Sequence, residues 1–201
     1  MPAFAGCTTP SSLPVRIVAG TWRGRALVAP PGAATRPTAD RVRQALFDML
    51  LHAPWGGREA VEGVRALDVF AGTGAFGLEA LSRGAAHVTC VENDRRAAAA
   101  IDAVVREWHE DALTVEAADA LVWLQRVPRA LPFDIVFLDP PYDAGLLSSA
   151  AAALVAGKLL ATDARIYVEQ RAREPLAELP DGWQSIRDGR AGEVGYHLFA
   201  T

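Results

Sequence analysis

Cysteine is nearly absent. Cys7 and Cys90 are the only two in 201 residues, too few and too far apart for a disulfide framework or a zinc knuckle, so a reducing compartment and no metal are expected. Lysine is scarcer: of the 20 basic residues only Lys158 is a lysine, which reads as genome base composition before any functional preference for guanidinium. No run approaches 18 apolar residues, so nothing is expected to cross a membrane. The first 14 residues lack the basic and apolar regions of a signal peptide, and a cytoplasmic location is the expectation. His52, His87, His109 and His197 show no spacing that suggests a ligand set.

What is present is an apolar chain of one-domain length, 51% hydrophobic, with a net charge of −4 that hides an asymmetry. Six arginines (Arg16, Arg23, Arg25, Arg36, Arg41 and Arg43) stand against one acid, Asp40, so this stretch carries +5 on an acidic body. That distribution suggests a local anionic partner. Residues 1–14, rich in Pro, Ser, Thr and Ala, read as a flexible extension. Residues 15–53 read as a hairpin and a helix, and 54–201 as the main domain, with Gly56-Gly57 near the boundary.

The hairpin would pair Arg16–Ala19 with Arg25–Val28 around Gly20 to Gly24. Its Trp22 offers a stacking plane among phosphate-binding arginines, a plausible surface for single-stranded nucleic acid. After the loop Pro30–Pro37, in which Arg36 must be extended before proline, Thr38 is placed to cap a helix. Val42, Ala45, Leu46, Met49 and Leu50 form its apolar stripe, and packing that stripe would leave Arg41 and Arg43 facing a ligand.

Strands are expected at Ala66–Phe70, His87–Glu92, Leu113–Ala117, Phe133–Asp139 and Arg165–Glu169. Helices fall between them, at Gly77–Ser82, along Ala97–Trp108, at Ala120–Arg126 and at Leu146–Ala156. Trp183–Arg187 and Val194–Phe199 close the chain around a loop at Asp188–Gly192. Repeated βα units ending in an antiparallel pair predict an α/β doubly wound sheet with helices on both faces.

Two motifs lie at strand ends. Asp68-Val69-Phe70-Ala71-Gly72-Thr73-Gly74-Ala75-Phe76-Gly77 contains G-x-G-x-x-G: Gly72 for the turn, Gly74 for close approach of a ligand, Gly77 for helix–strand packing. Glu92, 20 residues after Gly72, is placed to hold a ribose diol. With Asn93, Asp119 and Ala120 it completes a site for a nucleoside cofactor, Asp119 reaching adenine or capping the next helix. The loop alone fits NAD or S-adenosylmethionine, and Asp68 leans toward the second because an acid suits a methionine ammonium and sulfonium.

Asp139-Pro140-Pro141-Tyr142 favours methyl transfer. An exocyclic base amine is a poor nucleophile, its lone pair delocalised into the ring. If the Asp139 carboxylate and the Pro140 carbonyl each accept one N–H, the lone pair is directed at the methyl group and the developing charge is stabilised. Pro141 stiffens the turn, and Tyr142 supplies a stacking face for an extruded base. An NAD-dependent oxidoreductase, a DNA adenine-N6 methyltransferase and a non-enzymatic RNA-binding factor remain alternatives.

Taken together, Arg16-Ile17-Val18-Ala19-Gly20-Thr21-Trp22-Arg23-Gly24-Arg25, Arg36-Pro37-Thr38 with Asp40-Arg41-Val42-Arg43 and Leu46-Phe47, the loop Asp68–Gly77 continuing to Gly84, and Asp139–Tyr142 resemble the bacterial methyltransferases that modify N2 of one guanine in 16S ribosomal RNA. The resemblance covers about residues 15–199. It implies a Rossmann-like class I methyltransferase fold with a seven-stranded, mostly parallel sheet. It further implies S-adenosylmethionine as cofactor, Glu92 on its ribose, Asp119 near its adenine, and Asp139 to Tyr142 around the target amine. RNA would be held by the N-terminal segment, through Arg16, Trp22, Arg23, Arg25, Arg36, Thr38, Arg41 and Arg43. The partner would be 16S rRNA, free or within an assembled or assembling small subunit, and the enzyme a monomer. Family members usually begin near Arg16 and often carry lysine where Thr21 stands.

Overall fold

The structure, a computed structural model, describes residues 15–27, 37–127, 132–141 and 145–201, side chains of 37–39 excepted. Residues 1–14, Arg36 and Tyr142 lie outside the described residues. The strands are β1 (Arg65–Asp68), β2 (His87–Glu92), β3 (Leu113–Ala117), β4 (Phe133–Leu138), β5 (Leu160–Arg171), β6 (Gln184–Ala191) and β7 (Val194–Ala200). The helices are α1 (Pro37–His52), α2 (Ala75–Ser82), α3 (Arg95–Glu107), α4 (Ala120–Arg126) and α5 (Leu146–Gly157).

One seven-stranded sheet has the order β3-β2-β1-β4-β5-β7-β6. β1 to β5 are parallel, and β7 runs antiparallel between β5 and β6. Strand order reverses between β1 and β4, so a crevice opens beyond their carboxyl ends, the position where open α/β sheets bind ligands.

The apolar runs follow from burial on both faces. Ala66, Ile135, Phe137 and Tyr167 pack toward α1, α2, α3 and the N-terminal segment, while Leu67, Val136, Leu138 and Val168 pack toward α4 and α5. Phe137 sits between Phe47 of α1, at 5.9 Å between ring centroids, and Phe76 of α2, at 5.2 Å. The N-terminal segment therefore shares the core of the sheet.

Several boundaries differ from expectation: β1 stops at Asp68 and not at Phe70, and β5 runs over Leu160–Arg171 and not only Arg165–Glu169. α1 begins at Pro37, whose fixed φ suits a first helical position, so Thr38 lies inside the first turn and not before it. β6 continues through Asp188, Gly189 and Arg190, and the expected loop shrinks to the turn between Ala191 and Val194. Polar residues are tolerated there because β6 is an edge strand, and a side chain at Gly189 would fall 2.1 Å from the Tyr196 ring. Residues 15–27 pair through a single antiparallel bridge, Arg16 with Ala26, and form no strand of the sheet.

No helix among the described residues is long and apolar enough to cross a membrane.

Candidate active site

The loop after β1 is held open by the strand beside it. Gly72 has φ +55° and nothing within 4 Å of where a Cβ would stand, so its backbone is the part of the loop a ligand can approach. Glu92, ending β2, accepts the Gly72 N–H through Oε2 at 2.6 Å and the Asp94 N–H through Oε1 at 2.7 Å. Close approach was expected at Gly74. There a Cβ would instead meet the Ile101 side chain at 3.2 Å, so Gly74 serves packing. Gly77 behaves as expected, since a Cβ would lie 2.6 Å from Cys90 Sγ on β2.

Asp68 does not face the crevice. It is 2% exposed and accepts the Gly77 N–H at 3.1 Å, beneath the loop. Burial first, and then the charges of Asp139 and Glu92, push its pKa up to about 7 against the opposing pull of that N–H and of Arg43. Between about pH 4 and pH 7 Asp68 is ionised in the unfolded chain and protonated in the folded one. Its contribution to stability therefore falls as pH rises through that window. Asp68→Asn keeps an acceptor for Gly77 and should shallow the loss of urea resistance between about pH 4 and pH 7. An unchanged slope would place the titration elsewhere.

The crevice is a cavity of about 500 Å³, a size suited to a cofactor. Of the residues expected to hold a cofactor, Phe70, Ala71, Gly72, Thr73, Glu92, Asn93, Asp119 and Ala120 line it. Asp119 also caps α4, accepting the Val122 N–H at 3.0 Å. Asp139, Pro140 and Pro141 border the cavity from the end of β4. Sequence reasoning missed the apolar walls Phe76, Leu121, Leu146 and Val194, and above all Glu169. Glu169 is 7% exposed, accepts the Tyr167 O–H at 2.7 Å, and is pushed up to about 8 by burial and by Asp139. Its signal was available: Asp68, Glu92, Asp139 and Glu169 are all acids toward the carboxyl ends of apolar strands.

Two expected RNA contacts are corrected. Trp22 is buried against Trp108, 4.8 Å between centroids, and offers no free stacking face. Arg43, expected among the RNA contacts, is 2% exposed and lines the cavity instead of the outer surface. It donates to the Arg16 carbonyl and Asp40 and lies 3.6 Å from Glu79, because Glu79 on α2 draws it inward. Arg16, Arg23, Arg25 and Arg41 are exposed, with Arg25 lying over the Trp108 ring. Val15 lines the cavity, while Thr21 pairs with Ser82 at the far end of α2. The arm thus runs from the mouth along one helix length, ~12 Å at 1.5 Å per residue.

Residues 15–200 match the family described as conserved hypothetical protein 95. The chain belongs to this family. It is 39% identical over 190 residues to ribosomal RNA small subunit methyltransferase D of Escherichia coli K12, spanning 92% of this chain and 89% of that one. The solved structure of yhhF from Escherichia coli has 36% identity and a TM-score of 0.81, covering 93% of this chain and 97% of that one. SMU.776, solved in complex with SAH, shares the fold alone: 16% identity and a TM-score of 0.62 over 82% of this chain and 49% of that one. The architecture is the class I methyltransferase fold, and family membership rests on the full length of arm and sheet together.

Proposed function

We propose that this chain transfers a methyl group from S-adenosylmethionine to the exocyclic N2 of a specific guanine in 16S rRNA. The observation that carries this reading is the placement of Asp139 and Pro140 on the same cavity as Glu92 and Asp119. The 39% identical relative named for the small-subunit ribosomal RNA supports the substrate class.

The residues fit the cofactor. Glu92 reaches into the cavity as an acceptor fixed by two backbone N–H groups, suited to a ribose diol. Asp119 stands beside it as a second acceptor. When bound, the cofactor supplies an electrophilic methyl carbon on a sulfonium. Everything else falls to the protein. The Asp139 carboxylate and the Pro140 carbonyl each accept a hydrogen bond from one amine N–H, fix the orientation of the nitrogen lone pair and stabilise the charge that develops on it. The methylated nitrogen is acidic and passes a proton to the Asp139 carboxylate or to solvent. Arg16, Arg23, Arg25 and Arg41 hold the RNA through its phosphates.

The deciding experiment offers labelled methyl donor with naked 16S RNA, assembled small subunits and DNA, and maps the product base. Label on guanine N2 supports the reading, and label on adenine N6 of DNA overturns it. Replacing Arg23, Arg25 and Arg41 together should weaken RNA binding and reduce its salt slope by about 0.7 per lost phosphate contact. A slope equal to that of the parent would make the arm a solvated face.

A further inference from the structure

Four acids lie toward the carboxyl edge of this sheet, three at strand ends and Glu169 two residues before the end of β5, and the mechanism leaves Glu169 without a task. Its position is specific. Leu138 of β4 pairs with Val168 of β5, so Asp139 and Glu169 stand side by side one residue further on, a strand spacing of ~4.8 Å apart. Both line the cavity. Glu169 accepts the Tyr167 O–H from its own strand, faces Tyr196 in the β7 register, and feels the charge of Arg43 from α1. It is too buried for a solvated acid and too close to Asp139 for both to carry charge comfortably. Burial and Asp139 raise its pKa to about 8, so at neutral pH it presents one C=O acceptor and one O–H donor.

Guanine carries the complement of such a group. Beside the N2 amine its Watson–Crick edge offers N1–H and then O6, a donor and an acceptor in sequence. We propose that Glu169 reads this lactam edge, its carboxyl group accepting from N1–H and donating to O6 while Asp139 holds the N2 amine. The Tyr167 O–H occupies only one lone pair of Oε1, so the second remains for N1–H, and Tyr167 fixes the rotation of the carboxyl group. Adenine presents the reverse pattern, N1 an acceptor and N6 a donor, so against the carboxyl group as Tyr167 orients it acceptor would face acceptor and donor would face donor. Recognition of an extruded base by its Watson–Crick edge is the general solution when stacking has been given up. Glu169 is thus a specificity-determining residue, and the assignment rests on guanine N2 being the methylated position.

The test compares two target bases in otherwise identical 16S RNA assembled by ligation: guanine, and 2-aminopurine, which keeps the C2 amine but lacks N1–H and O6. The parent enzyme should prefer guanine by roughly 10- to 100-fold in kcat/KM, the range for one bidentate base contact. Glu169→Leu should erase that preference by lowering the rate on guanine and not on 2-aminopurine. Glu169→Gln keeps a C=O and an N–H donor, so it should retain guanine activity within a few-fold and keep the preference, which also guards against an unfolded leucine variant. A folded Glu169→Gln that loses guanine activity, or a Glu169→Leu that discriminates like the parent, overturns the proposal. If the parent places no methyl on guanine N2 at all, the underlying functional reading fails instead.

Discussion

Asp139→Ala should lower the rate of methyl transfer to RNA by about 10²- to 10³-fold, the cost of removing one preorganised electrostatic partner of a transition state. Cofactor affinity should stay close to that of the parent. The two expectations separate because Asp139 follows β4, whereas Glu92 and Asp119, the groups proposed to hold the adenosine, lie on β2 and at the start of α4. Asp139→Asn is the sharper variant. It preserves an acceptor oxygen in the same place and removes the charge, so a partial loss would apportion the effect between hydrogen bonding and electrostatics. Single-turnover transfer and calorimetric cofactor binding on the same preparation decide it. Loss of cofactor binding with the fold intact would make Asp139 a cofactor ligand and remove the mechanism above.

The same substitution bears on stability. Asp139 contributes to the raised pKa values of both Asp68 and Glu169, after burial in each case. Removing its charge relaxes both neighbours, so an inactive variant more stable than the parent at alkaline pH is the expected pattern. Three acids crowded toward the ends of β1, β4 and β5 are costly to fold around, as active sites often are.

The parallel sheet was legible because each of its strands had to be apolar on two faces and had to stop. His87–Glu92 could be delimited from composition alone and Phe133–Asp139 to within one residue, and the acid at each end marked the crevice. The glycine loop was legible as a loop, but its division of labour was not. Whether Gly72 or Gly74 faces the ligand depends on where Ile101 of α3 lies, and no local pattern contains that. The arm was misread for a similar reason. An aromatic among arginines looks the same whether it stacks on a base or packs on Trp108, and a helix-flanking arginine looks free until Glu79 is placed beside it. Glu169 was missed because its partner across the strands, Asp139, is specified by register.

Glu79→Ala should be the most destabilising single change outside the crevice. Glu79 is fully buried in α2. It accepts the N–H groups of Val18 at 2.7 Å and Ala19 at 3.0 Å, pairs with Arg83 at 2.7 Å, and faces Arg43 at 3.6 Å. Ser82, one helical turn on, receives the Trp22 N–H and donates to the Ala19 carbonyl. Gly20, at φ +82°, approaches so closely that a Cβ would sit 1.8 Å from the Ser82 carbonyl oxygen. Without Glu79, two backbone donors and the shielded Arg83 lose their acceptor and the buried Arg43 loses a facing negative charge, and breaking such a buried pair costs about 3–5 kcal/mol. Urea unfolding should show that loss, and amide exchange should show its location, with residues 15–27 deprotected before β1 and β4. Because the arm carries the exposed arginines while the glycine loop is held independently by Glu92, RNA affinity should fall further than cofactor affinity. Arm amides that stay protected in the variant would mean that the apolar contacts of Ile17, Trp22 and Leu27 hold it in place, with the buried ion pair adding only register.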